Sequence, residues 1–480
     1  MPANKITALS ACELSKAVHR RELSCRQVMQ AYLARIEALN PKVNALVGLL
    51  PHEPLLQQAD ARDAMLARGE SMGWMHGFPM AIKDISPVAG LPLSKGSPIL
   101  ADHVPQHDSL MVSRMKAAGG IVIGKTNIPE FGLGSHSYNP VYGVTGNAWD
   151  PGRSAGGSSG GAAVSLALRL QPVADGSDMM GSLRNPAAWA NVFGLRPSFG
   201  RVPYEPYDSD AFVSQLIVEG PMARNVRDLA MLLSVQAGYD ARQPLSIAED
   251  ASAFARPLRA EASGLRIGWL ADLDGYLPFE PGIVEMCAQA LQRFETLGAV
   301  VEPLSLGYPC DEVWQTWLTW RRFLVSGVLA PLAADPKHRA QLKPEALWEY
   351  EQGHGLSGPQ VYEASLNRTR FYRHLLVLFE RYDLLVLPSA QVWPFPAEWT
   401  WPREVAGRTM DTYHRWMEVV IYATLAGLPA ISVPVGFNDA GLPMGMQLIG
   451  RPHGDLAVIE AAAAYEQTIG ELLARRPAIA

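Results

Sequence analysis

A glycine- and serine-rich segment, GGSSGG at residues 156–161, has residue types and spacing that suit catalysis. It contains the pattern G-x-S-x-G with Ser158 at its centre, the pattern with which some esterases place a nucleophilic serine on a sharp turn. Such an enzyme also needs an acidic residue and a histidine base further along the chain. The histidines downstream include His354, His374, His414 and His453, none in a recognisable context. A Ser-His-Asp esterase is therefore one hypothesis.

Two other matches to functional patterns have simpler explanations. Ser113 and Lys116 match the S-x-x-K of penicillin-binding enzymes, but they lie in an amphipathic helical pattern that places the lysine in solvent. His103 and His107 have the spacing of metal ligands on a helix, yet Pro105 between them would break that helix. The glycine-rich segment lacks the Lys-Ser/Thr ending of a phosphate loop. The sequence therefore predicts no metal site and no cofactor.

Four long blocks in a fixed order carry a more specific signal than these short motifs. They are GFPMAIKDI (77–85), HDSLMVSRMKAAGGIVIGKTNIPEFG (107–132), NPVYGVTGNAWDPGRSAGGSSGGAAVSLA (139–167) and DGSDMMGSLRNPAAWANVFGLRPSFGRV (175–202). Together they resemble the amidase signature family. The likeness resumes in VEGPMARNVRDLA (218–230) and LAGLPAISVPVGFNDAGLPMGMQLIG (425–450).

The resemblance implies a single amidase domain over residues 1–480. Its fold would be α/β, with a mixed central β-sheet flanked by helices on both faces. The signature core would span about 77–235 and 425–450, and the variable substrate-pocket region about 240–420. Short apolar runs that alternate with helices after Gly77 independently favour the α/β class.

The same resemblance implies a Ser-Ser-Lys triad. It places the nucleophile at Ser182, the bridging serine that follows a cis peptide bond at Ser158, and the proton-accepting lysine at Lys83. Ser159 competes for the bridging role, but the alignment of GGSSGG favours the first serine. The three residues would act as a unit, with Lys83 and Ser158 handling the proton of Ser182.

Elementary chemistry supports a lysine in this role. A serine hydroxyl is a weak nucleophile and needs an adjacent base. Lysine is a base only when neutral, so its pKa of ~10.4 must fall through desolvation or neighbouring positive charge. Lys83 follows the apolar run Phe78–Ile82, at the end of a predicted buried strand. Asp84 would oppose the shift, but alternation along a strand directs its side chain elsewhere.

The resemblance also implies an oxyanion hole built from the backbone N–H groups of Met179, Met180, Gly181 and Ser182. The family pattern has two glycines before the nucleophile, whereas this chain has Met180-Gly181. Because methionine does not adopt positive φ freely, either the loop accepts a side chain at 180 or its geometry differs. Asp178 and Arg184 match family positions that hold the loop in place.

Four side chains are predicted to contact the substrate: Ser135, Tyr138, Trp393 and Trp399. The first two lie in the segment that the family uses near its substrate. The two tryptophans lie in the sequence WPFPAEWTWP, where prolines prevent a regular helix and favour a hydrophobic wall or lid. Three other tryptophans at helical spacing are expected in the core: Trp314, Trp317 and Trp320.

Periodicity predicts the elements that must position these residues. Helices are expected over 10–39, 55–68, 110–118, 162–170, 281–297 and 455–470. Strands are expected at 121–123, 265–270, 300–303, 430–435 and 444–449, the last two joined by the turn Asn438-Asp439-Ala440-Gly441.

Composition narrows the partners. The 480 residues carry a formal net charge of −6, so no basic field attracts nucleic acid or anionic lipid. Four cysteines without a C-x-x-C pair fit a reducing cytosol. The chain has no run of 18 apolar residues, and its first residues do not resemble a signal peptide, which predicts a cytoplasmic protein without a membrane span. A homodimer is compatible with the sequence, which carries no signal for the oligomeric state.

These observations predict an amide hydrolase that forms an acyl-enzyme on bulky aromatic or apolar small molecules, with carbamates and esters as chemically close substrates. Free-standing amidases, aryl acylamidases and urethane-cleaving enzymes are favoured, because amidotransferase subunits usually carry Thr-Gly-Gly before the nucleophile. Three alternatives remain. They are an amidotransferase subunit that needs partner chains, the Ser-His-Asp esterase, and a non-catalytic binding protein in which Met180 blocks the oxyanion hole.

Overall fold

A mixed eight-stranded sheet lies at the centre of the computed structural model, which describes residues 2–204 and 210–480. In spatial order its strands are Val300–Pro303, Arg266–Trp269, Leu384–Pro388, Pro443–Gly450, Ala430–Phe437, Phe193–Arg196, Val218–Ala223 and Ala174–Asp178. The first three are parallel to one another and the remaining pairs are antiparallel. The predicted α/β class with a mixed central sheet is confirmed.

The middle strands of this sheet are buried along almost their whole length. The apolar sequences AISVPVGF and PMGMQLIG fit strands that are covered on both faces. Helices Arg184–Ala190, Ile283–Thr296 and Asp455–Glu466 pack against them. The buried middle of the sheet therefore supports its edge strand, Ala174–Asp178, which pairs with strand Val218–Ala223.

A second, three-stranded sheet holds Leu46–Val47, Ile121–Thr126 and Pro79–Lys83, in that order. Its last two strands are parallel, and Lys83 pairs in register with Thr126. Strand Pro79–Lys83 packs against the edge strand of the central sheet. Two short ribbons complete the β-structure: Tyr138–Asn139 with Gly143–Val144, and Glu404–Val405 with Arg408–Thr409.

Sixteen α-helices surround the sheets within the described residues. They are Ala3–Ile6, Ala11–His19, Cys25–Leu39, His52–Ala67, Leu110–Ala117, Gly160–Ala167, Arg184–Ala190, Val226–Gln236, Ile283–Thr296, Cys310–Ala333, Pro336–Arg339, Pro344–His354, Gly358–Arg381, Ile421–Leu425, Asp455–Glu466 and Gly470–Ala474. Short 3₁₀ turns occur at Asn40–Lys42, Pro98–Leu100, Glu130–Gly132, Ala251–Ala255 and Arg415–Val420. None of the helices in the described ranges is long and apolar enough to cross a membrane.

The prediction of one helix over 10–39 is wrong, because two helices occupy this stretch. The first ends at His19, after which Arg21 adopts a positive φ of 59°. Ser24 then caps the second helix, accepting a hydrogen bond from the backbone N–H of Gln27 while the Gln27 side chain bonds back to Ser24. The S-x-x-Q pattern that marks this start is visible in the sequence. The other predicted helices and strands are confirmed to within a few residues at each end.

Candidate active site

Lys83 ends its strand with its side chain completely buried between the two sheets. Its Nζ lies 2.8 Å from Ser158 Oγ, 2.8 Å from Ser159 Oγ and 2.9 Å from Ser177 Oγ. The backbone carbonyl of Ser177 is a fourth neighbour, at 3.2 Å. All four atoms are neutral oxygens, so the amine has no direct carboxylate partner among them.

Burial lowers the pKa of Lys83 to about 7, because desolvation disfavours the ammonium form. Asp175, Asp178 and Glu219 oppose the shift through their charges without reversing it. The Asp175 carboxylate accepts the backbone N–H of Lys83 rather than its side chain, at 3.2 and 3.3 Å. Lys83 is thus positioned to be neutral over part of the physiological pH range.

Asp84 faces a different environment, as alternation along the strand predicts. Its carboxylate accepts a hydrogen bond from Ser94 Oγ at 2.5 Å and lies 4.0 Å from Lys125 Nζ. It therefore does not hold Lys83 in the charged form.

Sequence reasoning did not identify two of the groups around Lys83, Asp175 and Ser177. They are two residues apart on strand Ala174–Asp178, so their side chains lie on one face of it. Asp175 binds the backbone of Lys83, and Ser177 contacts its amine. Polar residues alternating within a buried strand were the available signal, since such residues need partners.

Ser158 and Ser159 are equally close to the amine but differ in what else they reach. The peptide bond between Gly157 and Ser158 is cis, and Ser158 lines a cavity beside this cluster. Ser159 is completely buried, does not line that cavity, and directs its Oγ toward the Ser177 carbonyl at 3.4 Å. Of the two serines, Ser158 is the one that a bound molecule would meet.

Ser182 lies on the loop that follows strand Ala174–Asp178 and lines the same cavity as Ser158. It is 8% exposed, against 3% for Ser158 and 0% for Lys83, so access from the cavity decreases along this series. The Ser159 N–H donates to the Ser182 carbonyl at 3.2 Å and joins the two serine-bearing segments. The structure thus brings Lys83, Ser158 and Ser182 to one place.

An entirely buried ion pair anchors the Ser182 loop. Arg184 donates to Asp178 from Nε at 3.0 Å and from Nη2 at 2.9 Å, as two parallel charge-assisted bonds. Arg196 donates to the Asp178 backbone carbonyl at 2.6 Å. Burial would raise the pKa of Asp178, but Arg184 and Arg196 hold it at about 2. The carboxylate is therefore a fixed anion that shapes the loop.

The four predicted oxyanion-hole residues are not equivalent. Met179, Met180 and Ser182 line the cavity, whereas Gly181 does not. The Gly181 N–H donates to Asp178 Oδ1 at 3.0 Å, so this amide already has a strong acceptor. Gly181 has the positive φ in this loop, 78°. Met180 does not have a positive φ, and it is one of the residues that line the cavity.

The cavity next to Ser182 has a volume of about 190 Å³. Helix Cys310–Ala333 supplies much of its apolar wall, with Leu324, Val325, Val328, Leu329 and Leu332. None of the described residues that line it is an aspartate or glutamate. An apolar cavity of roughly 150 Å³ accommodates a benzene ring, so this volume suits an aryl or branched aliphatic group.

Ser135 and Tyr138 lie behind the Ser158 segment rather than on the cavity wall. Ser135 Oγ donates to the Gly157 carbonyl at 2.8 Å and accepts the Gly157 N–H at 3.1 Å. Tyr138 lies beneath the Lys343 ammonium, 5.7 Å from Nζ to ring centre. Ser135 thus positions the residue before Ser158, and neither side chain is among those that line the cavity.

The two predicted wall tryptophans are also elsewhere. Trp393 is half-buried and donates from its indole to the Pro281 carbonyl at 3.2 Å. Trp399 is 49% exposed and stacks on Phe395. In this structure the apolar wall of the cavity comes from helix Cys310–Ala333, and neither tryptophan lines it. Three other tryptophans on that helix are buried, as predicted: Trp314, Trp317 and Trp320.

The histidines of the esterase hypothesis do not reach Ser158. None of His354, His374, His414 and His453 is among the described residues that line the cavity. His414 is completely buried, and burial lowers its pKa well below the ordinary value. Lys116 of the S-x-x-K match forms a 2.7 Å ion pair with Asp108. No group of three or more His, Cys, Asp or Glu that could hold a metal occurs in the described part of the chain.

A buried lysine–serine cluster, the loop that carries Ser182 and an apolar cavity thus lie together beside a mixed α/β sheet. The chain belongs to the amidase signature family: the family model described as Amidase matches residues 27–459. It is accordingly a hydrolase of carbon–nitrogen bonds other than peptide bonds.

Two relatives and one solved structure illustrate the match. An acylamidase of Rhodococcus erythropolis is 32% identical over 468 residues, covering 95% of each chain. A glutamyl-tRNA(Gln) amidotransferase subunit of Moorella thermoacetica is 35% identical over 489 residues, covering 98% of each. The crystal structure of a bacterial aryl acylamidase of the amidase signature enzymes superposes with a TM-score of 0.90 at 30% identity, covering 98% of this chain and 100% of that one.

Proposed function

We propose that this protein hydrolyses amide bonds of bulky aromatic or apolar small molecules through Ser182, Ser158 and Lys83. The single observation that carries the proposal is the environment of Lys83. Its amine is buried among three serine hydroxyls, one of which faces the cavity that also holds Ser182. A desolvated lysine in contact with hydroxyls is a base for serine activation.

In the first half of the reaction, Ser182 Oγ attacks the amide carbonyl carbon. Its proton passes to Ser158 Oγ, and the Ser158 proton passes to the neutral Lys83 amine. The carbon–nitrogen bond then breaks, and a proton returns from Lys83 through Ser158 to the leaving nitrogen. The products of this half are an acyl-Ser182 ester and a free amine.

In the second half, a water molecule replaces the amine. Lys83 and Ser158 accept its proton as it attacks the ester, and the proton then returns to Ser182 Oγ. The acid leaves and the starting state is restored. No cofactor enters this scheme, because every proton is held by one of these three side chains.

The negative charge that develops on the carbonyl oxygen needs backbone donors. We assign this role to the N–H groups of Met179, Met180 and Ser182, whose residues line the cavity. Gly181 would shape the loop instead, since its N–H is bonded to Asp178. Each preorganised donor of this kind contributes about 10²–10³ in turnover.

The cavity supports the choice of substrate. Its apolar wall and its volume of about 190 Å³ favour an aryl or branched group over acetamide. Carbamates and esters present the same carbonyl carbon to Ser182, and their turnover depends on the leaving group. The substrate is thus a small molecule with a bulky apolar substituent.

The test is turnover of anilides, aliphatic amides, aryl carbamates and esters by the purified chain. We expect Ser182→Ala to abolish hydrolysis, and Ser158→Ala and Lys83→Met each to lower kcat by several orders of magnitude. Ser159→Ala is the matched control, since it removes a hydroxyl equally close to Lys83 but outside the cavity. A smaller loss is expected there. Labelling of any serine other than Ser182 by a fluorophosphonate would refute the assignment.

The similarity to an amidotransferase subunit supports a second candidate function. Such a subunit would release ammonia from glutamine and deliver it within a complex of partner chains. Glutamine carries an ammonium group, and no aspartate or glutamate among the described residues lines the cavity to pair with it. Glutaminase activity without anilide hydrolysis would favour the subunit, whereas anilide turnover by the chain alone favours the amidase.

A further inference from the structure

Arg321 is the one arginine among the described residues that line the cavity. It lies on helix Cys310–Ala333, seven residues after Trp314 and four after Trp317, on the buried face of that helix. Its side chain is only 3% exposed. A charged group at such a position needs partners, and their arrangement shows which donors are occupied.

Two of its three nitrogens are held by protein groups. Nε donates to Glu349 Oε1 at 2.5 Å, and Nη2 donates to Tyr413 Oη at 2.7 Å. Tyr413 Oη in turn donates to the same Glu349 oxygen at 2.7 Å. Burial by itself would lower the pKa of Arg321, but Glu349 raises it, so the guanidinium stays charged and fixed in orientation.

The third nitrogen, Nη1, donates a hydrogen bond only to the thioether sulfur of Met179, at 3.6 Å, among the described protein groups. A thioether is a weak acceptor, so this charged donor lacks a strong partner among the described protein groups. Met179 also lines the cavity and lies in the loop that leads to Ser182. Nη1 therefore lies at the cavity wall, on the side of the Ser182 loop.

We propose that Arg321 is a specificity residue whose Nη1 donates a hydrogen bond to a neutral oxygen acceptor on the substrate. The acceptor, an ether or a second carbonyl, would be separate from the amide that is cleaved. This inference rests on the proposed amide hydrolysis at Ser182. It extends the substrate class from bulky apolar amides to bulky amides that carry one further oxygen.

The acceptor is neutral because the charge of Arg321 is already balanced by Glu349. Lys95, the other cation that lines the cavity, also has an interaction partner. A substrate carboxylate would bring an additional charge into a largely apolar space, which is costly without a free counter-ion. An ether or carbonyl oxygen gains the charged hydrogen bond without that cost.

The experiment uses anilides in which an ether oxygen replaces one methylene. One pair differs in the acyl group, methoxypropanoyl against pentanoyl, and a second differs in the ring substituent, methoxyphenyl against ethylphenyl. A carboxylate-bearing anilide completes the set. In the wild type we expect the ether member of at least one pair to have about 10-fold higher kcat/KM, the scale of one hydrogen bond to a charged group.

Two variants test the residue. Arg321→Lys keeps a cation beside Glu349 but loses the second arm of the guanidinium, and Arg321→Met combined with Glu349→Gln removes the ion pair as a whole. Both should bring the ether preference close to one. Arg322→Met is the matched control, because Arg322 stacks on Trp348 and does not line the cavity. It should keep the preference.

A wild-type ratio near one for both pairs would overturn the inference, as would a ratio that persists in the Arg321 variants. A preference for the carboxylate would overturn the neutral acceptor. If no amide is hydrolysed, the proposed function fails, and calorimetric binding of the same pairs to Ser182→Ala still decides the role of Arg321. Tighter binding of the ether member that requires Arg321 supports it, and equal binding refutes it.

Discussion

Raising the pH through neutrality should activate the enzyme, because it deprotonates Lys83. With a pKa of about 7, about one tenth of Lys83 is neutral at pH 6 and about nine tenths at pH 8. An ordinary lysine, with a pKa of ~10.4, would be less than about 1% neutral at pH 8. We therefore expect kcat/KM to rise roughly tenfold between these two pH values and then to level off.

Neighbouring carboxylates allow the cause to be tested. Asp175 makes the largest charge contribution that raises the pKa of Lys83, so Asp175→Asn should move the inflection to lower pH. Glu219 provides a contrast: burial raises its pKa to about 8, so at pH 7 it is mostly uncharged. Glu219→Gln should consequently shift the inflection less.

The lowered pKa of Lys83 also affects the free energy of unfolding. Between pH 7 and about 10 the unfolded chain keeps a proton on Lys83 that the native protein has released. Because the unfolded state binds more protons in this window, this group makes the free energy of unfolding increase with pH, by about 1.4 kcal/mol per unit. The difference in unfolding free energy between wild type and Lys83→Met should change with that slope, which denaturant titrations at several pH values would measure.

The assay is initial-rate kinetics on an anilide from pH 5 to 10, with the leaving amine detected directly. A profile that is still rising at pH 10 would show that Lys83 has an ordinary pKa and would refute the argument. If the residual activity of Lys83→Met keeps the inflection near 7, another group titrates there, which would also refute the argument. An inflection that does not move in Asp175→Asn would refute the assigned electrostatics alone.

Two further substitutions have defined consequences. Gly181→Ala should destabilise the protein by at least about 1–2 kcal/mol in denaturant unfolding and lower activity, because a Cβ at this positive φ would overlap Asn185 Oδ1 and lie 2.8 Å from Val420 Cγ2. Val325→Phe should narrow the cavity and lower kcat/KM about tenfold for bulky anilides but less for acetanilide, whereas Trp399→Ala should leave this selectivity unchanged. Equal losses on both substrates, or a selectivity change in Trp399→Ala, would contradict the placement of the wall.

Sequence patterns predict best those structural features that depend on a single helix or strand. The apolar strand before Lys83 and the alternation that turns Asp84 away are both present in the structure. The break between the first two long helices was missed although its capping sequence at Ser24 is visible. Such a signal competes with apolar periodicity that continues across the break, and periodicity alone does not register a single residue of positive φ.

The sequence did not predict which element forms the apolar wall of the cavity. A proline-rich aromatic loop predicts a lid that contains Trp393 and Trp399, whereas in the structure Trp399 is on the outside of the molecule. Arg321 was missed, although a charged residue on the buried face of a tryptophan-rich helix was a usable signal. Which element faces the cavity depends on how helix Cys310–Ala333 docks against the sheet, and no local pattern encodes that orientation.

The sequence by itself determined the family, the α/β class, and the candidate serines and lysine, because ordered blocks of residues and strand periodicity are properties of the chain. The tertiary structure decided what those residues do to one another. Only the packing of strand Pro79–Lys83 against strand Ala174–Asp178 buries the Lys83 amine among three hydroxyls and lowers its pKa. Desolvation and hydrogen bonding depend on distances between segments far apart in sequence, and folding alone sets those distances.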